Sequence, residues 1–251
     1  MSPVDTAALA LVLAILATMP AFALKSRQRV PDADVAKRPA TLILGFWVRD
    51  WFMWLLGPVE RPLVSAGVSP DLFNYLGVGC GAAAGVAFGL GALPFAAWLV
   101  ALGGICDIFD GRIARALGVD STRGAFLDST LDRFAETFSF IGVAWFLSGR
   151  PWMVCVTMLA MGGSLLVSYT RARGEALGVQ EKGGVMQRAE RLVLLAVAAD
   201  LDGAAAHAFG WSPGLLLAGA VTVIGVGSVG TAIYRTVTIA GALRRRDEGR
   251  L

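Results

Sequence analysis

Apolar stretches close to twenty residues long recur along the chain, separated by short polar or basic turns: 6–24, 72–92, 94–117, 124–147, 151–172, 186–208 and 213–240. A helix needs about 20 apolar residues to cross a bilayer, so the pattern predicts seven transmembrane helices. Residues 25–40, with Pro31 and Pro39, read as a polar linker. Residues 41–58 break the pattern. Trp47, Trp51 and Trp54 recur there at helical spacing beside Arg49 and Asp50, which predicts an amphipathic helix lying in the membrane interface. The predicted fold is an all-α, polytopic membrane bundle. It divides into an N-terminal anchor and linker (1–40), an interfacial helix (41–58) and a six-helix domain (59–251).

Composition agrees with that picture. Of 251 residues, 56% are hydrophobic and only 16% charged, whereas soluble domains carry about 25% charge. The formal net charge of +3 is too small to suggest nucleic acid, and the basic residues suit anionic lipid headgroups. Asp5 is the only charge before the first apolar stretch, while Lys25, Arg27 and Arg29 follow it. That asymmetry predicts an uncleaved anchor with its N-terminus outside. Alternation then places Arg112, Arg115, Arg123, Arg171, Arg173, Lys182, Arg188 and Arg244, Arg245 and Arg246 on the cytoplasmic side. Cys80, Cys106 and Cys155 sit in apolar runs and read as packing residues. His207, the single histidine, falls on the outer side and is given no catalytic role. Gly77, Gly81, Gly85 and Gly89 form a small-residue stripe that lets helices approach closely. Packing within the chain is the first reading of that stripe, and a homodimer seam the second.

The chemistry concentrates in residues 107–132. Asp107 and Asp110 are spaced i,i+3 on one helix, and Asp128 and Asp132 i,i+4 on the next. Each pair therefore faces one way. A turn with Gly118, Asp120, Ser121 and Thr122 joins the helices, so a helical hairpin brings the pairs together. Facing carboxylates repel unless cations intervene, and all-oxygen ligands select hard divalent ions such as Mg²⁺ or Mn²⁺. Two such ions about 3.5–4 Å apart can clamp a diphosphate. Gly111 and Ala114 on the first helix, and Gly124 one turn before Asp128, leave room for a ligand against the backbone. Arg115 reaches a phosphate oxygen at the inner rim. The rival reading pairs the aspartates with Arg112, Arg115 and Arg133 in a buried ion network.

The run Asp107-x2-Asp110-Gly111-x2-Ala114-Arg115-x8-Gly124-x3-Asp128-x3-Asp132 resembles the signature of the CDP-alcohol phosphotransferases at every fixed position. A chance match is on the order of 10⁻⁹ at ordinary residue frequencies. The resemblance covers about 58 to 240. It implies a six-helix core, to which the first span is an addition, and a transferase that moves a phosphatidyl group from a CDP-linked lipid to a small alcohol with release of CMP. It further implies that Asp107, Asp110 and Asp128 hold one metal and Asp107, Asp128 and Asp132 a second. In the same reading Asp132 is the general base, and Gly111, Ala114, Arg115 and Gly124 shape the CDP pocket. Where family members often read Thr/Ser-Pro-Asn-x2-Thr-x2-Gly, this chain has Ser69-Pro70-Asp71-x2-Asn74-x2-Gly77. Asp71 and Asn74 retain hydrogen-bonding capacity toward a nucleotide.

The acceptor is read from 168–192 and the last span. Several arginines there would suit an anionic acceptor such as a sugar phosphate. The stretch is similar to that of bacterial and archaeal phosphatidylinositol phosphate synthases, with Arg171 for lysine, Gly174 for alanine and Ala189 for proline. That resemblance implies that Arg171, Arg191 and Arg235 bind the acceptor phosphate, with inositol phosphate as acceptor and glycerol 3-phosphate as the alternative. A cation transporter using the four aspartates is the reading from outside the family.

Overall fold

The structure, a computed structural model, describes residues 2–26, 30–36 and 44–249. Arg27, Arg29, Pro39 and residues 41–43 of the predicted interfacial segment lie outside the described residues. Every regular element among the described residues is helical.

The first predicted span is two helices, α1 (Pro3–Leu16) and α2 (Met19–Ser26). Ser2 starts α1 in a capping box with Asp5, which satisfies two otherwise unpaired N–H groups. Pro20 accounts for the break, because it cannot donate the hydrogen bond that would carry one helix through residues 17–18. A single turn, α3 (Ala33–Ala36), follows. Helix α4 (Phe46–Ser65) continues past the expected end at 58, through Pro58 and Pro62. It anchors the N-terminal pair: the Phe22 ring lies 5.4 Å from that of Trp47 and 5.6 Å from that of Trp54, and Trp51 Nε1 donates to Thr18 Oγ1 at 2.9 Å. The other side of α4 packs Leu56 into a small core with Phe73, Phe109 and Ile113.

Six long helices follow: α5 (Pro70–Gly89), α6 (Leu93–Leu117), α7 (Thr122–Phe146), α8 (Pro151–Ala176), α9 (Arg188–Phe209) and α10 (Leu215–Asp247). Prolines open α5, α6 and α8, where the missing N–H would have had no helical partner. Gly118 ends α6 in the left-handed conformation (φ 66°), and Ser121 caps α7 by accepting from the Gly124 N–H. Asp202 accepts from the backbone N–H groups of Gly214, Leu216 and Leu217, so α9 caps the start of α10.

Six of the seven expected spans are long and apolar enough to cross a membrane, with α1 and α2 counted as one stretch, Pro3–Ser26. The exception is α7, which is long enough but carries Arg123, Asp128, Asp132, Arg133 and Glu136. Its charges are tolerated because Asp132, Arg133 and Glu136 pair within the protein. The chain is an integral, multi-pass membrane protein.

The expected hairpin of α6 and α7 is loose. The two helices touch little beyond their shared turn, and α5 packs extensively against both. The glycine stripe makes that possible. A Cβ placed on Gly81 would meet the Ala135 Cα at 2.5 Å, and one on Gly85 would collide with the Phe138 carbonyl. Gly142 of α7 in turn lies against the backbone of Gly85. Gly81 and Gly85 thus serve contacts within the chain, as the first reading held. Gly85→Leu should therefore lower the unfolding temperature in detergent, since overpacking costs about 1–3 kcal/mol and backbone cannot yield easily. Gly79→Ala, which meets nothing within 4 Å, should leave it unchanged. Equal unfolding temperatures for the two variants would show that the α5–α7 approach is not tight.

Candidate active site

The motif folds as its spacing requires. Asp107, Asp110 and Asp128 each place a carboxylate oxygen within 4.8 Å of the others. Asp110 is buried, and Asp128 Oδ1 is buried without a hydrogen-bond partner. Among the described residues no arginine pairs with Asp110 or Asp128 within 4.0 Å. The fourth aspartate sits beside this trio but is held otherwise. Arg188, the first residue of α9, spans Asp107 Oδ2 at 2.6 Å and Asp132 Oδ1 at 2.5 Å.

Further charges extend the cluster. Arg133 lies 3.6 Å from Asp132 and 3.8 Å from Glu136, and it bonds the Ser168 hydroxyl. Arg191 is 2% exposed and grips Glu136 with two N–H groups at 2.6 and 3.1 Å. The rival ion network is thus present in part, built on Arg133, Arg188 and Arg191. Arg112 and Arg115 face away from the aspartates, toward Asp32, Glu60 and Asp34. Five carboxylates (Asp107, Asp110, Asp128, Asp132, Glu136) face three guanidiniums, an excess of two negative charges when all are ionised. The uncompensated carboxylates are the two that no arginine touches. An orphaned buried oxygen, a triangle of hard ligands and two surplus charges fit a divalent cation.

The residues expected at the nucleotide gather around this end of the bundle. Asn74 is buried and lines the same cavity as Asp107, Asp110 and Asp132. Gly111 lies under Arg115, whose Nη1 would be 3.1 Å from a Cβ placed there. Half-buried Ala114 stands between them in sequence, and Gly124 sits in the first turn of α7. Asp71 accepts from Arg123 at 2.7 Å near the surface.

The three arginines expected at the acceptor come from α8, α9 and α10. Their surroundings differ from a set of open phosphate donors. Arg171 is half-exposed, with Glu175 at 2.9 Å. Arg191 is committed to Glu136. Arg235 is 3% exposed and donates to the carbonyls of Gly183 and Val167 at 2.8 Å and of Lys182 at 3.4 Å. The physical reason is that a buried guanidinium must have its N–H groups satisfied by protein.

Two participants escaped the motif. Arg188 reads in sequence as an inner-rim cation, and only the fold turns it toward the aspartates. Glu136 was findable, because the spacing of four that links Asp128 to Asp132 continues to it.

The CDP-alcohol phosphatidyltransferase family model matches residues 68–226. The phosphatidylinositol phosphate synthase of Streptomyces avermitilis is 39% identical over 221 residues, covering 85% of this chain and 88% of that protein. The enzyme of the same name from Cutibacterium acnes is 37% identical over 155 residues, covering 60% of this chain and 75% of that protein. Among solved structures, Mycobacterium tuberculosis phosphatidylinositol phosphate synthase with CDP-DAG bound superposes with a TM-score of 0.64 at 30% identity, covering 72% of this chain and 92% of that one. The same enzyme in complex with manganese and citrate also gives 0.64 at 30% identity, covering 72% and 87%. With an aspartate constellation of this geometry and a match over most of its length, the chain belongs to the CDP-alcohol phosphatidyltransferase family of membrane enzymes.

Proposed function

We propose that this enzyme moves a phosphatidyl group from CDP-diacylglycerol onto inositol phosphate and releases CMP, at the cytoplasmic ends of its helices. The observation that carries the reading is the Asp107–Asp110–Asp128 triangle with Asp132 beside it. The names of the relatives favour inositol phosphate over glycerol 3-phosphate. In this reading residues 59–251 form the transferase, 41–58 lies in the interface and 1–40 anchors the chain with its N-terminus outside.

Asp107, Asp110 and Asp128 would hold one Mg²⁺ or Mn²⁺, and Asp107, Asp128 and Asp132 a second; such ions neutralise the diphosphate and the charge developing on the leaving phosphate. Gly111, Ala114 and Gly124 keep the backbone open to the nucleotide, and Asn74, Asp71 and Arg115 offer it polar contacts. The acceptor's hydroxyl oxygen bonds to the lipid-side phosphorus, the phosphoanhydride bond to CMP breaks, and the hydroxyl proton passes to Asp132. Arg188 fixes one Asp132 oxygen, which orients the carboxylate for that transfer. Arg171, Arg191 and Arg235 attract the acceptor's phosphate, and the ties to Glu136 and the backbone fix the last two in direction.

Four outcomes follow. Excess chelator should abolish CMP release and added Mg²⁺ or Mn²⁺ restore it; undiminished turnover in chelator would end the metal reading. Asp132→Asn should lower turnover by about 10²–10⁴-fold while CDP-diacylglycerol still binds, and wild-type turnover would remove Asp132 from the chemistry. Arg171→Ala should raise the KM for inositol phosphate about tenfold, as loss of one charged hydrogen bond does, and leave the donor KM unchanged. Arg191→Ala should in addition lower thermal stability, because Glu136 would keep only its longer contact to Arg133, and removing one partner of a buried pair costs about 3–5 kcal/mol. An unchanged acceptor KM in Arg171→Ala would exclude that residue from the acceptor pocket.

A further inference from the structure

The segment before α4 carries three-dimensional detail that the family match, which begins at residue 68, does not cover. Asp32 Oδ2 accepts from Arg112 Nη1 at 2.9 Å, and Glu60 Oε2 of α4 accepts from Arg112 Nε at 2.8 Å. The Asp32 backbone N–H donates to Asp50 Oδ1 at 2.9 Å, and the Asp34 N–H to Asp32 Oδ1 at 3.0 Å. Burial by itself raises the Asp32 pKa, but Arg112 and the N–H groups of Asp34 and Val35 outweigh it and hold the carboxyl below its ordinary value. This clamp is largely buried, with side-chain exposures of 17% for Arg112, 11% for Asp32 and 15% for Glu60. It fixes residues 32–34 beside Arg112 and Arg115 of α6.

So placed, Asp34 Oδ2 takes Arg115 Nη2 at 2.8 Å and stands 3.7 Å from Arg112. The Arg115 guanidinium lies against Gly111, with Nη1 3.1 Å from where a Cβ would sit. This outer pair is far more open than the clamp, at 48% for Arg115 and 32% for Asp34. Pairs that exposed contribute about 0.2–1 kcal/mol. A diphosphate brings more negative charge and more acceptor oxygens than one carboxylate and makes stronger charge-assisted bonds to a guanidinium.

We propose that Asp34 sets the affinity of the donor site by competing with the donor's phosphates for Arg115. The inference rests on the reading above in which Arg115 serves the CDP-lipid. The clamp on Arg112 is the fixed part, and the Asp34–Arg115 bond is the part that exchanges. Asp34 thus acts as an internal anion that must be displaced before the nucleotide's phosphates gain the arginine, and it discriminates against ligands with too little charge to displace it.

The full-length protein in detergent with Mg²⁺ tests this, using CDP as the binding probe. Asp34→Asn should bind CDP about two- to fivefold more tightly, the range set by an exposed ion pair. It should lower the KM for CDP-diacylglycerol by a similar factor and leave the acceptor KM unmoved. Asp34→Glu, which retains the charge, should stay close to the wild type. Arg115→Ala should weaken CDP binding, and adding Asp34→Asn to it should change nothing further. CDP affinity in Asp34→Asn that equals or falls below the wild type overturns the competition while leaving Arg115 at the donor. CDP affinity unaltered by Arg115→Ala removes Arg115 from the donor site, and the competition falls with it.

Discussion

Carboxylates inside a bundle of apolar helices have to be balanced by positive charge within a few ångströms, and the inner half of this molecule is arranged around that need. A single charge at the centre of a bilayer costs about 2.5–3.5 kcal/mol on insertion scales. Five carboxylates from α6 and α7 share one region, and the chain answers with Arg133 from α7 and Arg188 and Arg191 from α9. Two positive charges short, the balance is left open at Asp110 and Asp128. A protein selected only for stability would have closed it with another arginine or with apolar residues. The open balance makes the cluster a site for cations and their phosphate partners, where a closed one would be a structural ion network.

That arrangement requires α7 to turn its charged face inward while Phe126, Ile141 and Trp145 stay exposed on its outer side. The close approach of α5 does it. Gly81 and Gly85 bring the backbone of α5 against Ala135, Phe138 and Gly142 of α7. At such a separation the dispersion contacts run along much of both helices. The charged stripe of Asp128, Asp132 and Glu136 is thereby kept beside α6 and α9, although α6 and α7 themselves touch little beyond their turn.

How much of this the sequence discloses depends on range. The i,i+3 and i,i+4 aspartates, the Gly118 stop and the Ser121 cap are local features, and the folded chain keeps them. The long apolar runs gave every core helix within a few residues, apart from the extension of α10 to Asp247. What stayed hidden was pairing between distant elements. Nothing in residues 168–192 distinguishes Arg188, which enters the aspartate cluster, from Arg171, which stays half-exposed. Arg112 and Arg115 looked like partners for the aspartates because they are adjacent in sequence. Helical geometry turns them to the far side, where Asp32, Asp34 and Glu60 wait. The tryptophan spacing marks only the first part of α4, and the helix runs on through Pro58 and Pro62 to Ser65.

The buried arginines that the sequence marks for an acceptor also have a structural task, and it reaches the aspartate cluster. The connection between α8 and α9 has no regular structure from Val179 to Gln187 apart from one bend at Val185, so its course must be set from outside. Helix α10 sets it. Arg235 holds the carbonyls of Lys182 and Gly183 together with that of Val167 on α8. Thr231, one turn earlier, accepts from the Met186 N–H at 3.0 Å. Gly184 passes so close to Thr231, at φ 121°, that a side chain there would collide with it. Arg191 adds a bond to the Met186 carbonyl. Met186 is therefore fixed at both its N–H and its carbonyl, two residues before Arg188 begins α9. The placement of Arg188 on Asp107 and Asp132 thus depends on contacts made by α10, at the far end of the chain. An acceptor phosphate that drew on Arg235 or Arg191 would load the same contacts that position Arg188. On the proposed reading, binding of the acceptor and orientation of Asp132 would be joined through this one short connection.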